Sequence, residues 1–265
     1  MQISVSRLRT YSLCAKQYEY RYIQNEPPEF TSISLAFGGA MHHGIAEYHQ
    51  SLNTLNADAM FAEFQKYFRA VIEDSHAAQR EIRFREETEA TLMEKAHALC
   101  RGYVEAFSGV VPKSADDVEV WFEVPLFDPT SGLGSLSHTL VGKMDLVADG
   151  TVYEFKTSSR SPSQQDADSS IQLTAYSLAY EYLYDEPPEA LKLVTLVTTK
   201  TPKISVLNTQ RWYKDYQHLV EMAISIAGAI ESGLFYRNRE YQYGCHNCEY
   251  EQQCLGFQPQ KEEGQ

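Results

Sequence analysis

The sequence predicts a mixed α/β fold, with helices in the first half of the chain and a β-sheet in the second. Three observations support this prediction. Apolar residues recur at helical spacing through most of residues 6–108. Apolar and polar residues alternate after residue 117, as they do in half-buried strands. A periodic helix then separates two strand-like segments, and such a helix provides the crossover between strands of one sheet.

Four helices are predicted in the first half of the chain, over residues 6–24, 35–52, 56–75 and 84–108. The first carries apolar and aromatic residues at helical spacing, and glycines loosen the start of the second. The fourth is rich in Glu, Ala and Leu, which favour helices. The first half is therefore predicted to be mostly helical.

Five strands and two further helices are predicted in the second half. The strands are VEVWFEVPLF, SHTLVGKMDLVA, TVYEFKT, ALKLVTLVTT and KISVLNT, and the helices are SIQLTAYSLAYEYLY and QRWYKDYQHLVEMAISIAGAIESG. Asp149-Gly150 is a favoured pair for a tight hairpin between the second and third strands. SRSPSQQDADSS is predicted as a polar loop, and Gly233 ends the last helix. No internal repeat or linker is evident, so one domain with a helical insertion is the simplest organisation.

Composition and net charge limit the classes of protein to which this chain can belong. The 265 residues are 43% hydrophobic and 22% charged, which is ordinary for a globular protein that can bury a core. The net charge of −13 argues against indiscriminate binding to polyanions. No segment approaches the roughly 18 apolar residues of a membrane helix, and the N-terminal segment has no apolar core of a secretory signal. We therefore expect a cytoplasmic, intracellular protein with no membrane association.

Charged residues interrupt the predicted hairpin where a core strand would be apolar. Asp145 lies on one strand, and Glu154 and Lys156 share a face of the next. A turn at Asp149-Gly150 would place Asp145 opposite Glu154, and adjacent carboxylates repel unless a cation lies between them. Hard oxygen ligands suit Mg²⁺ or Mn²⁺. An ordinary ion pair of Lys156 with either carboxylate would explain the same pattern, and the spacing alone does not exclude it.

Two other segments carry polar groups that could join this site. FGGAMHHGIAEYH places His42 early in a helix, where its imidazole could be a further metal ligand. SIQLTAYSL places Gln172 and Tyr176 four residues apart, on one face of a helix. A structural histidine and a partly exposed helix face are the alternatives.

The cysteines are clustered near the C-terminus. Cys245, Cys248 and Cys254 form a C-x₂-C-x₅-C pattern, and a four-thiolate site needs one more ligand. Cys100 lies in an apolar helix, so Cys14 is the better candidate and would clip the two ends of the chain together. Zinc and a [4Fe–4S] cluster both fit the ligand type, and three clustered cysteines with one remote cysteine fit the iron–sulfur cluster better.

Taken together and in this order, these motifs resemble the RecB-like branch of the PD-(D/E)XK nucleases in its iron–sulfur form. This group includes bacterial helicase–nuclease subunits and CRISPR-adaptation nucleases. The matching segments are SVSRLRTYSLCAKQYEYRY, GGAMH, GKMDLV, YEFKT, QLTAY and CHNCEYEQQC. The chain departs from the family at Ala15, where proline is frequent, and residues 53–110 match no motif of the family.

The resemblance implies a restriction-endonuclease-like fold, with a mixed β-sheet core flanked by helices. Residues 1–265 would form a single nuclease domain. Within it, residues 1–34 and 234–256 would form an iron–sulfur clip, residues 53–110 a helical insertion and residues 115–232 the catalytic core.

The resemblance also implies an activity, that of a divalent-metal-dependent deoxyribonuclease. An exonuclease acting on single-stranded DNA or DNA ends is the form expected. Lys156 would position the attacking water, and Gln172 and Tyr176 would support the site or contact the DNA. The implied ligands of Mg²⁺ or Mn²⁺ are His42, Asp145, Glu154 and the Phe155 carbonyl, and those of the [4Fe–4S] cluster are Cys14, Cys245, Cys248 and Cys254.

The resemblance leaves several properties of the protein open. Recombination, repair, CRISPR adaptation and phage DNA processing all fit, each with its own helicase, recombination or CRISPR-adaptation partner. Strand polarity, oligomeric state and the number of catalytic metals are not determined. The alternative function is a non-catalytic iron–sulfur module that binds DNA ends or a protein partner.

Overall fold

A six-stranded mixed β-sheet forms the centre of the structure, which is a computed structural model describing residues 1–84, 87–128, 132–238 and 245–256. The strands are β1 (Gln2–Ser4), β2 (Phe30–Ser32), β3 (Glu81–Arg83), β4 (Val118–Asp128), β5 (Leu133–Ala148), β6 (Thr151–Ser158), β7 (Ala190–Val197) and β8 (Lys203–Thr209). The helices are α1 (Val5–Leu13), α2 (Ala15–Tyr18), α3 (Ile33–Gln50), α4 (Ala57–Ala77), α5 (Glu89–Phe107), α6 (Gln164–Asp168), α7 (Ile171–Tyr184), α8 (Tyr213–Glu231) and α9 (Glu251–Leu255). The predicted mixed α/β fold is confirmed.

The long strand β5 pairs with three other strands of the sheet. It pairs antiparallel with β4 along most of its length, so that β1 and β6 share its other edge. The remaining order is β6-β7-β8, in which β6 and β7 are parallel and β7 and β8 are antiparallel. Helix α7 makes the crossover between β6 and β7, as the strand–helix–strand pattern predicts.

Two apolar clusters cover the two faces of this sheet. The first joins the sheet to α1, α7 and α8 and contains Leu173 and Val220. The second joins the sheet to α3, α4 and α5 and contains Met41 and Phe64. Because side chains alternate along a strand, Val152 packs in the first cluster and Phe155 in the second. The sheet is therefore buried on both faces.

The alternation of faces is interrupted within β5. Met144 packs in the first cluster, but Leu146, two residues later, packs in the second. On the facing strand β4, Glu119 lies between the residues paired with these two and has a positive φ of 52°. Such a local break in the pleat re-aims the side chain at its centre. That side chain is Asp145, which belongs to the predicted site.

The single helix predicted over residues 6–24 is wrong. Helix α1 ends at Leu13, Cys14 is extended with φ −160° and ψ 108°, and α2 begins at Ala15 and continues as a π-helical turn over Glu19–Ile23. The side chain of Asn238 donates to the Leu13 carbonyl at 2.9 Å. The backbone N–H of residue 16 donates to the carbonyl of residue 236 at 3.0 Å. These bonds to the C-terminal segment replace bonds that a continuous helix would make.

The segment predicted as a helical insertion, residues 53–110, is not purely helical. It contains α4 and α5, but β3 lies between them and pairs in parallel with β2. Helix α5 begins at Glu89 rather than residue 84, because the Thr88 hydroxyl caps its first turn. The polar loop predicted after β6 contains the short helix α6. Among the described residues, no helix is long and apolar enough to cross a membrane.

Candidate functional site

The β5–β6 hairpin brings the two predicted carboxylates together. The turn at Asp149-Gly150 is confirmed, and both residues have positive φ values, of 46° and 72°. A two-residue turn of this kind favours Asp-Gly. The strands pair as Ala148 with Thr151 and as Leu146 with Tyr153. Continued by one step, this register places residue 145 opposite residue 154, as the sequence predicts.

Asp145 lies against the backbone of β6. Its Oδ2 accepts a hydrogen bond from the backbone N–H of Phe155 at 2.8 Å. The residue pairs between the two strands end at Tyr153. Because the N–H and carbonyl of one strand residue point to the same side, the Phe155 carbonyl also faces β5. Burial raises the pKa of Asp145 to about 6, although the Phe155 N–H and Lys156 act in the opposite direction. The Phe155 carbonyl therefore lies beside a strongly desolvated carboxylate.

Glu154 is the most completely buried charged group of the site. Its exposed fraction is 0%, and neither carboxylate oxygen forms a well-aligned hydrogen bond with any described residue. Lys156 forms an ion pair with Oε1. Burial and the neighbouring Asp145 raise the pKa of Glu154 to about 7, despite the opposing effect of Lys156. Because buried polar groups are nearly always partnered, these oxygens indicate a place for a further positive ligand.

A hydrogen-bonded chain holds Lys156 on the α7 side of the sheet. Its Nζ donates to Gln172 Oε1 at 2.9 Å, and Gln172 Nε2 donates to the Tyr176 hydroxyl at 2.9 Å. Burial raises the pKa of Tyr176, so this hydroxyl stays protonated. The spacing of four residues places the two α7 side chains on one helix face, as predicted. The lysine is thus shared between Gln172 and the carboxylate of Glu154.

His42 approaches the carboxylates from α3. Its Nδ1 lies 3.8 Å from Asp145 Oδ2. Burial lowers the pKa of His42, which keeps the imidazole neutral and able to donate a lone pair. Its neighbour His43 points elsewhere, with Nε2 3.5 Å from Glu63. Of the two adjacent histidines, the structure therefore brings His42 to the site.

These groups fit a divalent cation by their chemistry. They combine two carboxylates, a strand carbonyl and a neutral imidazole, a donor set suited to Mg²⁺ or Mn²⁺. The buried oxygens of Glu154, which form no well-aligned hydrogen bond with a described residue, are the structural observation that favours such a ligand. Within the described ranges, no three His, Cys, Asp or Glu side chains already converge as a complete metal-binding group. The fit is therefore one of donor type and burial.

The four predicted cluster cysteines line one cavity. Cys14, Cys245, Cys248 and Cys254 surround it together with Tyr20 and Tyr250. Burial raises the pKa of Cys248 to about 11, and the thiols of Cys14 and Cys254 add to this effect. Cys100 is instead fully buried in the second apolar cluster. The structure thus groups the same four cysteines as the sequence, although they do not form a closed metal-binding group.

Protein contacts already join the two ends of the chain near this cavity. The backbone N–H of Glu29 donates to the Glu249 carbonyl at 2.9 Å, and Arg21 forms an ion pair with the Glu249 side chain. The Tyr250 hydroxyl donates to the Glu26 carbonyl at 3.2 Å. Clipping of the termini therefore does not depend on a metal alone.

Sequence reasoning missed a cleft of about 410 Å³ beside Lys156. Arg9 and Arg160 line it, and they come from segments about 150 residues apart in the chain. Arg9 lies within the N-terminal segment that resembles the RecB-like branch, but no role is predicted for it, and Arg160 lies in the predicted polar loop. Their proximity follows from the folding of α1 against the sheet and α7, which brings both residues to one cleft.

Comparisons with known proteins bear on this arrangement. The sequence matches the family model of the PD-(D/E)XK nuclease superfamily over residues 2–255. No curated protein matches the sequence. Among solved structures, the chain is similar to the crystal structure of a protein described as "putative exonuclease" from Eubacterium rectale. The TM-score is 0.58 and the identity 14%, and the match covers 89% of this chain and 84% of the other. At this identity, the likeness shows a shared fold.

Proposed function

This chain belongs to the PD-(D/E)XK nuclease superfamily, and we propose that it is a divalent-metal-dependent deoxyribonuclease. The observation that carries the proposal is the fully buried carboxylate of Glu154 between Asp145 and Lys156, which forms an ion pair with Lys156 but no well-aligned hydrogen bond with a described residue. The alternative is a purely structural role, in which the ion pair with Lys156 alone compensates the charge of Glu154 and no metal binds. Two oxygens without a well-aligned hydrogen bond and a raised pKa favour the metal site instead.

The residues of the site divide into ligands and positioning groups. Asp145, Glu154, His42 and the Phe155 carbonyl would hold Mg²⁺ or Mn²⁺. When bound, such an ion supplies an activated water at neutral pH and stabilises charge on the phosphate. The polar donor set and the neutral imidazole support both metals, and Mn²⁺ tolerates the imidazole well.

Lys156 acts on the water and the phosphate. Its ammonium group is fixed between Gln172 and Glu154, so it can orient the attacking water and offset negative charge. The water loses a proton as its oxygen bonds to phosphorus, and the sugar oxygen takes up a proton from solvent as its bond to phosphorus breaks. The Gln172–Tyr176 hydrogen bond keeps the amide oxygen directed at Lys156. These two α7 residues are therefore positioning residues for the lysine.

An exonuclease acting on single-stranded DNA or DNA ends is the form of the activity that we propose. The resemblance to the RecB-like branch supports it, and the similar solved structure carries an exonuclease description of its own. Recombination, repair, CRISPR adaptation and phage DNA processing are the processes to which this activity belongs. A helicase, recombination or CRISPR-adaptation protein is the kind of partner that would deliver such ends.

The cysteine cavity is proposed to hold a [4Fe–4S] cluster. The support is the convergence of Cys14, Cys245, Cys248 and Cys254 on one cavity, and their match to the cluster motif of the RecB-like branch. The cluster would brace contacts between the terminal segments that the polypeptide already makes. Division of the chain into a clip, an insertion and a catalytic core belongs to the same proposal.

A cleavage assay tests the nuclease function. Protein purified without oxygen is incubated with end-labelled single-stranded or duplex DNA, in Mg²⁺, Mn²⁺ or EDTA. We expect metal-dependent product, none in EDTA, and none above background from Asp145→Ala. Asp74→Ala, which changes an exposed carboxylate near the end of α4, serves as the matched control. DNA binding with no cleavage under any metal condition would favour the non-catalytic scaffold.

A further inference from the structure

A cationic cleft opens beside the proposed catalytic lysine. It has a volume of about 410 Å³ and lies between α1, the end of β6 and the first turn of α7. Its polar lining includes Arg9, Lys156, Arg160, Asp166 and Gln172. We propose that this cleft binds a phosphate group of the DNA strand next to the phosphate that is cleaved. The inference rests on the proposed nuclease function and names how the strand is held.

The charge of the cleft is opposite to that of the whole chain. The protein carries a net charge of −13, but three cationic residues and one carboxylate line this cleft. Arg9 is exposed and forms no ion pair with any described residue. The ion pair of Arg160 with Asp166 is long, with 3.5 Å between the guanidinium nitrogen and Oδ1. The same carboxylate also accepts a hydrogen bond from the Ser163 backbone N–H at 2.7 Å. Both guanidinium groups therefore remain available to an anion.

Guanidinium groups are well suited to a phosphate. Their planar donors can form two parallel hydrogen bonds to phosphate oxygens, and the charge remains at all ordinary pH values. Arg9 belongs to α1, whereas Arg160 follows β6. An anion bound between them would be contacted from two separate elements, which fixes its position more firmly than one residue can.

Backbone donors reinforce the positive character of the cleft. Helix α7 has 14 residues, and its first two residues, Ile171 and Gln172, line the cleft. The Ser170 hydroxyl caps the N–H of Leu173, whereas no described residue accepts a hydrogen bond from the N–H of either lining residue. Unpaired N–H groups at a helix start favour a bound anion, especially beside cationic side chains.

The cleft is continuous with the carboxylate site through Lys156. This residue lines the cleft, forms the ion pair with Glu154 and donates to Gln172, which also lines the cleft. A strand whose scissile phosphate lies at the carboxylates would therefore present a neighbouring phosphate to Arg9 and Arg160. Small hydroxyl residues such as Ser158 and Ser169 leave room for the sugar–phosphate chain.

Two phosphates could occupy the cleft, an internal phosphodiester or a terminal phosphate of the strand. Both offer the same anionic oxygens, and binding experiments separate them. Oligonucleotides with a 5′-phosphate, a 3′-phosphate or no terminal phosphate differ only in the terminal group. A single neutral methylphosphonate linkage, moved along the strand, removes one internal charge at a time.

The test uses full-length protein and fluorescence anisotropy of labelled single-stranded oligonucleotides in EDTA at several salt concentrations. We expect Arg9→Gln and Arg160→Gln each to weaken binding by about 10-fold and to reduce the salt dependence by about one phosphate contact. Arg101→Gln, an exposed arginine of α5 that does not line the cleft, should leave binding unchanged. Circular dichroism verifies that the variants are folded.

Neutral linkages provide the decisive comparison. We expect a methylphosphonate at one position, or the loss of one terminal phosphate, to weaken binding by the wild type. The same change should not affect binding by the double variant Arg9→Gln/Arg160→Gln. Equal binding by wild type and double variant, or equal sensitivity at every linkage, would overturn the phosphate site. Cleavage by the wild type is measured in parallel, so that the two proposals are tested separately. Cleavage without a phosphate site in the cleft would leave the nuclease function standing, and phosphate binding without cleavage would leave the cleft assignment standing.

Discussion

Replacement of Glu154 by glutamine tests whether the buried carboxylate is a metal ligand or whether its charge is already compensated by the ion pair with Lys156. Glutamine keeps the shape of the side chain and removes its charge. A satisfied ion pair would make the wild type more stable than Glu154→Gln at pH 8 in the absence of metal. A desolvated carboxylate without adequate partners predicts that the stability of the wild type falls relative to the variant as the pH rises.

The magnitude follows from the raised pKa of Glu154, which lies at about 7 against an ordinary 4.5. Between these pH values, the folded protein binds more protons than the unfolded chain, so the free energy of unfolding decreases as the pH rises. The stabilising contribution is complete below about pH 4.5 and is lost as the pH passes 7. The loss in the metal-free wild type is about 3 kcal/mol, and the variant lacks it.

Thermal unfolding followed by circular dichroism in EDTA, from pH 5 to pH 8, measures this difference. For a chain of this length, 3 kcal/mol corresponds to a fall of roughly 5–10 °C in Tm relative to the variant. Burial also raises the pKa of Asp145, so its contribution has the same sign in both proteins, and the difference between the two profiles reports the Glu154 carboxylate together with its coupling to Asp145. Addition of Mn²⁺ at pH 8 should raise the Tm of the wild type and leave that of Glu154→Gln nearly unchanged.

Glu105→Gln provides the matched control, because this exposed side chain of α5 forms no side-chain ion pair with a described residue. Its pH profile should run parallel to that of the wild type. Parallel profiles for the wild type and Glu154→Gln would refute the reasoning, since they would show that burial does not perturb this carboxylate. A Tm response to Mn²⁺ in Glu154→Gln equal to that of the wild type would place the cation elsewhere.

Three further predictions follow from the same structure. Lys156→Ala should abolish cleavage while the circular dichroism spectrum is retained, whereas Lys66→Ala, at an exposed lysine of α4, should cleave normally. Cys248→Ser should remove the visible absorbance and the iron and sulfide of anaerobically purified protein, and Cys100→Ala should retain them. A colourless wild type that contains zinc would reject the cluster. Arg211→Lys should lower stability by about 2 kcal/mol in urea unfolding and slow cleavage, because three of the five hydrogen bonds that Arg211 donates reach Ala167, Ser170 and Thr174 around the start of α7. Unchanged stability would contradict this role.

The sequence predicts the hairpin and the meeting of its carboxylates because both depend on local rules. Asp149-Gly150 favours a two-residue turn, and the turn sets the register of the strands that it joins. Strand alternation then places Glu154 and Lys156 on one face. Spacing along α7 similarly predicts that Gln172 and Tyr176 lie together, although not that the amide would donate to the hydroxyl and accept from the lysine.

Other features depend on contacts between distant parts of the chain, and the sequence does not reveal them. Strand β1 has three residues, too few for a periodic pattern, and exists because it pairs with residues 139–141 of β5. The helix break at Cys14 depends on hydrogen bonds from Asn238 and to Tyr236. The break in the pleat at Asp145 likewise requires the positive φ of Glu119 on the facing strand.

The charge balance of the site explains why Lys156 does not simply neutralise it. Two carboxylates face one ammonium group, and the lowered pKa of His42 keeps that imidazole neutral. With both carboxylates ionised, the site carries one net negative charge, which a divalent cation would convert into one net positive charge. A phosphodiester carries one negative charge, so it would complete the balance. Gln172 matters here because it holds Lys156 against one carboxylate oxygen and leaves the remaining oxygens to a cation.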